Sequence, residues 1–192
     1  MGKRIFDCVS ALLGLIVVSP LLVIIAIAVK FSSAGPVFFR QTRVGREFQP
    51  FRIVKFRTMR EGIDGPRITV RGDHRVTAVG LLLRRTKFDE LPQLWNVLVG
   101  DMSLVGPRPE IPEYVERFRE DYEEILAVRP GITDPASIEF RREEILLAQA
   151  DNPETKYLSV ILPKKLAMAR EYVKNRTFFG DLVLIFRTVA HV

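Results

Sequence analysis

The chain has 192 residues, a formal net charge of +6, one cysteine and 47% hydrophobic residues. One cysteine excludes an internal disulfide and a cysteine-based zinc site, and the length suits one domain with a sizeable core. The basic balance points to anionic partners, but there is no zinc spacing, heptad pattern or RNA-recognition signature, which excludes a nucleic-acid partner and leaves acidic lipid headgroups.

The first element is apolar. Cys8 to Val29 carries no charge, roughly 33 Å as one straight helix and just enough to cross a bilayer. Cys8, at its edge, reads as a small buried hydrophobe. A signal peptide fits poorly, because the apolar core is too long and Lys30 comes before the small residues Ser32-Ser33-Ala34. A spanning helix and a re-entrant hairpin remain. Ser19-Pro20 sits near the middle of the run. Proline removes one backbone hydrogen bond and kinks a helix, and the Ser19 hydroxyl can return a bond to a freed carbonyl. Lys3 and Arg4 precede the run, and Lys30, Arg40, Arg43 and Arg46 follow it. Charge at both ends suits a hairpin with both ends on one side, whereas spanning helices concentrate it on one side. Kinked spanning helices are common, so these features leave the two topologies even.

The remainder reads as an α/β body, mostly helical with short strands. Val37 to Met59 alternates apolar and basic residues around Gly45 and Pro50, which predicts short strands or a hairpin. Lys55 and Arg57 share one strand face there. Residues 61–73 carry glycine, aspartate and proline and read as a loop, and a helix is predicted from about Asp73 to Thr86. Pro112 opens a predicted helix with Val115, Phe118, Tyr122 and Ile125 on one face, ending near Arg129-Pro130. Residues 139–150 and 163–174 also read as helical. Near the C-terminus Phe178, Leu182, Ile185 and Val189 form one helical stripe. Lys174, Arg176 and Arg187 flank it, as expected of an amphipathic helix at a membrane surface.

The chemistry concentrates in residues 84–109. Pro92 suits a first helical turn, so Asp89 is predicted to cap a helix running to about Leu98, with Gly100 as its stop. A helix N-terminus holds a carboxylate ionised and favours a nearby phosphate. An ionised carboxylate can attack phosphorus or bind Mg²⁺. By itself an Asp-Glu pair before a helix is an ordinary solvated first turn. The neighbours change that reading. Arg84, Arg85 and Lys87 lie just upstream, and Arg108 sits between two prolines in Gly106-Pro107-Arg108-Pro109. Arginine grips phosphate oxygens with a planar fork of donors.

Together these residues resemble the bacterial sugar transferase family, the monotopic polyprenyl-phosphate phosphoglycosyl transferases, in its small form that carries the catalytic domain alone. The resemblance rests on Asp89-Glu90-Leu91-Pro92-Gln93-Leu94, Asn96-Val97-Leu98, Gly100-Asp101-Met102-Ser103 and Val105-Gly106-Pro107-Arg108-Pro109. Lys3-Arg4-Ile5-Phe6-Asp7, Ser19-Pro20, Lys55-Phe56-Arg57-Thr58-Met59 and Arg129-Pro130-Gly131-Ile132-Thr133 also match, in the family's order. After Thr133 the pattern departs: where many members carry Gly-Trp-Ala-Gln, this chain reads Asp134-Pro135-Ala136-Ser137, and only Arg141 matches by position. Donor preference therefore does not carry over.

The resemblance implies a re-entrant membrane hairpin over residues 1–34 and a membrane-associated catalytic domain over 35–192. It implies transfer of a sugar 1-phosphate from a UDP-sugar to polyprenyl phosphate, releasing UMP, at the cytoplasmic face of the bacterial inner membrane, as the first step of glycan or exopolysaccharide assembly. Asp89 is the implied nucleophile, forming a covalent intermediate, and Glu90 the implied ligand of Mg²⁺, with Asp101 a weaker one. Lys55, Arg84, Arg108 and Arg141 are the candidate substrate-binding cations. Membrane lipids are implied partners, and a homodimer is compatible. Two other classes stay open: a non-enzymatic membrane scaffold of a glycan-assembly complex, and a Mg²⁺-dependent phosphohydrolase with the same aspartyl nucleophile.

Overall fold

The computed structural model describes residues 2–63, 65 and 68–191. Helix α1 (Gly2–Ser32) takes in the whole apolar stretch with Pro20 inside it. The Ser19 hydroxyl donates to the Ile16 carbonyl at 2.8 Å. That carbonyl is the one Pro20 cannot serve, so the hydroxyl replaces the missing amide. The expected hairpin does not appear as two separate helices: α-helical hydrogen bonding continues to Ser32.

One stripe of α1 faces the body. Asp7, Ala11, Ile25 and Val29 are buried along it, at four- and fourteen-residue spacings that keep them on one helical face. Ala11 packs with Ile53, Val97 and Met102, and Ile25 and Val29 pack with Phe56 and Leu83. The opposite stripe exposes Ile5, Leu13, Ile16, Val17, Ile24 and Phe31. Both ends of α1 are tied to the same body. At the start, Lys3 bonds the Val105 carbonyl at 3.1 Å and pairs with Asp181, while Asp7 accepts from Ser103 Oγ at 2.8 Å. At the end, Arg57 donates to the carbonyls of Val29, Ser33 and Ala34.

Strands β1 (Phe38–Val44) and β2 (Pro50–Phe56) form the expected antiparallel hairpin, with Phe39 opposite Lys55. Helix α2 (Ala78–Thr86) begins later than predicted. Its cap is Thr77, whose side chain accepts from the Gly80 amide at 2.9 Å. Asp73 instead grips Arg75 in a preceding turn. Helix α3 (Gln93–Val99) ends at Gly100 in the left-handed conformation, φ 105°, as the sequence predicts. Arg4 from α1 reaches the carbonyls of Val97 and Leu98 at its C-terminus.

Strand β3 (Ser103–Val105) pairs in parallel with β4 (Gly131–Thr133). Between them, α4 (Pro112–Arg117) and α5 (Arg119–Ile125) replace the single predicted helix, because Phe118 leaves helical geometry (φ −119°, ψ 37°). The predicted helix at 139–150 is shorter, forming α7 (Glu143–Ala148), and the unpredicted α6 (Pro135–Glu139) precedes it. Helix α8 (Pro153–Lys156) runs through a π turn into α9 (Leu162–Asn175), and α10 (Phe178–His191) closes the chain. Tyr114, Tyr122, Ile125, Leu147, Ile161 and Leu166 form the core of this half. Phe179, Val183, Phe186 and Val189 of α10 are exposed, while Asp181 is buried and accepts from Tyr172 at 2.7 Å.

The β3–β4 pair brings two backbone segments unusually close. A Cβ on Gly131 would lie 2.1 Å from the Gly106 amide nitrogen, and one on Gly106 would lie 2.4 Å from the Arg129 carbonyl oxygen. Only glycine fits either position. Gly131→Ala is expected to destabilise the protein by about 3 kcal/mol, at the upper end of overpacking costs. Chemical denaturation in detergent would register this as a lower midpoint, and an unchanged midpoint would show that the two strands can part freely.

Candidate active site

Three separate segments deliver charged side chains to one place. The end of β2 supplies Lys55. The link from α2 to α3 supplies Asp89 and Glu90 on a single 3-10 turn, Phe88–Glu90. The turn after β3 supplies Arg108. Lys55 Nζ lies 2.9 Å from Glu90 Oε1. Arg108 engages both oxygens of Glu90, Nη1 to Oε2 at 3.2 Å and Nη2 to Oε1. This bidentate pair has the fork geometry that arginine offers a carboxylate. The Arg108 side chain is still 38% exposed, whereas that of Glu90 is 11% exposed. One edge of the guanidinium is therefore held by Glu90, and the rest is open to an incoming anion.

The Asp89 carboxylate does not cap α3, contrary to the sequence expectation. Pro92 itself occupies the N-cap position with helical dihedrals (φ −62°, ψ −15°), and no side chain caps the helix. Asp89 is buried, and its Oδ1 has no hydrogen-bond partner among the described residues. A buried oxygen left without a partner is costly. A reacting or ligating atom is the economical explanation.

Burial is the largest influence on Asp89 and raises its pKa, with the Glu90 charge adding to it; Lys55, Lys87 and Arg84 oppose the rise. Burial also acts to raise the pKa of Glu90, but Arg108 and Lys55 outweigh it and hold Glu90 well below the usual carboxylate range. Burial, aided by Arg108, pulls the Lys55 ammonium down against Glu90. Two adjacent carboxylates are thus driven apart. Glu90 is a fixed anion within a cationic clamp, and Asp89 is the more basic of the two.

The other predicted residues are placed differently. Arg84 lies beside the site, with Nε donating to Thr58 Oγ1 at 2.9 Å. Asp101 follows the far end of α3 and accepts from the Asn96 amide at 3.1 Å. No contact joins it to Glu90 among the described residues. Arg141 is exposed after α6 and has no contact with the Glu90 cluster among the described residues.

Sequence reasoning missed Asp134 as a site residue. It is only 2% exposed. It accepts the Arg108 backbone amide at 3.2 Å and, through its other oxygen, the Ser137 amide at 2.7 Å. It therefore fixes the Arg108 turn while capping α6. The signal was readable, since Asp followed by Pro is a common opening for a helix.

A small cavity of about 30 Å³ behind Arg108 is lined by Asp134, Ser137, Tyr157 and Lys165. That is room for water and not for a sugar, so the sugar does not occupy this cavity. The hard oxygen donors at the site are Asp89 and Glu90, and no group of three or more metal-binding side chains exists among the described residues. This sparse set, with its unpartnered Asp89 oxygen, fits Mg²⁺, which relies largely on water and substrate phosphates.

The whole chain, residues 1–192, matches the family model described as Bacterial sugar transferase. The protein belongs to that family. This bacterial sugar transferase is 40% identical to the UDP-glucose:undecaprenyl-phosphate glucose-1-phosphate transferase of Caulobacter vibrioides, over 98% of the chain and 68% of that protein. It is 41% identical to the protein of the same name from Escherichia coli K12, over 97% of the chain but only 39% of that protein. It is also similar to the UDP-N-acetylgalactosamine-undecaprenyl-phosphate N-acetylgalactosaminephosphotransferase of Aeromonas hydrophila, at 37% identity over 97% of the chain and 42% of that protein. The family member described here thus spans about two fifths of two of these relatives. Their names differ in the sugar.

Proposed function

We propose that this protein transfers a sugar 1-phosphate from a UDP-sugar to polyprenyl phosphate, giving a polyprenyl-diphosphate sugar and UMP, through a covalent aspartyl intermediate. The observation that carries this reading is the buried, unpartnered Oδ1 of Asp89 beside a clamp of Arg108, Lys55 and Glu90. The names of the relatives supply the substrate class.

The Asp89 carboxylate attacks the phosphorus that bears the sugar, and the bond from that phosphorus to UMP breaks. The Arg108 edge not held by Glu90 meets the phosphate oxygens, and Lys55 adds positive charge nearby. Glu90 orients Arg108 and balances the clamp before substrate arrives. A phosphate oxygen of the acceptor then attacks the same phosphorus, and Asp89 leaves as a free carboxylate. Glu90 would hold Mg²⁺, which would offset charge on the diphosphate.

UMP release measured with and without polyprenyl phosphate tests the reading. A transferase forms a lipid-linked sugar, a hydrolase releases UMP continuously without lipid, and a scaffold releases none. Chelation is expected to abolish turnover and added Mg²⁺ to restore it. Glu90→Gln is expected to lower the rate at least about a hundredfold, because it loosens Arg108 as well as any metal. Turnover indifferent to chelation would remove Mg²⁺ from the scheme.

The site is read as lying at the cytoplasmic face of a bacterial inner membrane, with α1 re-entrant. Support comes from the contacts of both α1 ends with one body, which a helix crossing the bilayer could not make. Single cysteines at Gly2 and Ala34, in a Cys8→Ser background, are expected to resist an impermeant thiol reagent outside intact cells. Labelling at one of them alone would indicate a spanning helix.

A further inference from the structure

We infer that the C-terminal end of α2, with Lys87 at its tip, receives the phosphate of the lipid acceptor, while the Leu81–Leu82 face of the same helix takes its hydrocarbon chain. The inference rests on the transferase reading above.

Lys87 holds the left-handed C-cap position of α2, with φ 57° and ψ 14°. Glycine is the usual residue there, because any side chain is strained at positive φ. Lys87 tolerates that strain and leaves its ammonium exposed, two residues before the buried Asp89. Among the described residues no carboxylate pairs with Lys87. Arg85, one helical position before Thr86, is also exposed and free of a carboxylate partner among the described residues. Lys87 acts on the nucleophile, and Arg85 lies on the same exposed end of α2. Lys55 and Arg108 are already engaged by Glu90.

Helical spacing places Leu81 four residues before Arg85, on the same face and one turn back. Leu81 is 44% exposed and Leu82 62% exposed, although α2 is buried through Leu83 against Ile25, Val29 and Phe56. One side of α2 therefore packs on α1, and the other presents leucines that lead into positive charge. An amphiphile with a phosphate head and a hydrocarbon tail matches that order. A free phosphate matches only the charged end. Asp89 then has two kinds of cation within electrostatic reach, Lys55, which is held by Glu90, and Lys87, which is not. A nucleophile that hands a phosphoryl group from a soluble donor to a lipid acceptor needs that arrangement.

The test is a two-substrate kinetic analysis with undecaprenyl phosphate and the preferred UDP-sugar. Lys87→Gly relieves the backbone strain, so its melting temperature is expected to equal or exceed that of the parent. Its acceptor KM is expected to rise about tenfold, the scale of one lost charge-assisted contact, with the donor KM unchanged. Leu81→Ser with Leu82→Ser is expected to raise KM for undecaprenyl phosphate and spare a two-isoprene phosphate. An unchanged acceptor KM in Lys87→Gly, or donor and acceptor KM rising together, overturns the assignment. Equal effects of the leucine changes on both chain lengths overturn the hydrocarbon track. If the unaltered protein fails to exchange labelled UMP into UDP-sugar without lipid, the covalent transferase reading itself fails, and this inference fails with it.

Discussion

Asp89→Asn is expected to fold normally and to lose turnover by about three orders of magnitude or more, the scale on which essential nucleophiles act. The amide is nearly isosteric and removes the attacking charge. Since Asp89 caps no helix, the change costs no capping bond. Donor supplied alone should label the parent protein at Asp89 and leave the variant unlabelled, as read by mass spectrometry of the intact chain. The acid limb of the rate profile follows from the same residue. Burial and Glu90 raise the Asp89 pKa, and the ionised form is the reactive one. Activity should therefore fall, as pH decreases, earlier than an ordinary aspartate would dictate. Turnover in Asp89→Asn close to that of the parent would place the nucleophile elsewhere.

Arg108→Lys carries the second large expectation, a loss of about a hundredfold, comparable to removing one donor from a preorganised charge-stabilising site. Lysine keeps the charge and loses the fork. It cannot hold both Glu90 oxygens while presenting a free edge to phosphate, as Arg108 does. The loss should fall mainly on kcat, because the contact is worth most when charge builds on the transferring phosphoryl group. A variant with unaltered kcat and a modestly raised donor KM would mean that Arg108 only collects substrate.

Local patterns were the readable part of the sequence. The β1–β2 hairpin followed from alternation around Gly45 and Pro50, and the end of α3 from Gly100. The Ser19 bond around Pro20 was likewise foreseeable, because its atoms are neighbours in sequence. Helix starts were harder to read. Asp73 has the composition of a cap, yet its carboxylate is taken by Arg75, and Thr77 opens α2 instead. The helix after Pro112 kept its apolar stripe, but it breaks at Phe118, where the backbone leaves helical geometry. Within the site, the residue types were legible and their meeting was not. Lys55 and Glu90 meet across 35 residues of sequence because β2 is bonded to Asn96 of α3, and the β3–β4 pair holds the Arg108 turn; these are non-local contacts that no local pattern announces. Arg141, matched only by position within a divergent segment, remains apart from that cluster.

The guanidinium groups bonded to helix ends alter how the positive charge should be probed. Arg57 serves the end of α1, Arg4 the end of α3, and Arg129 the carbonyl of Gly100 at 2.8 Å. Three arginines in a basic chain are therefore joints of the scaffold. An alanine scan scored by activity alone would count them with Arg108, since each would give a dead preparation. Folded yield separates the two kinds. Loss of Arg4, Arg57 or Arg129 should show first as poor recovery from detergent extraction, whereas loss of Arg108 should show in a protein that is recovered in full.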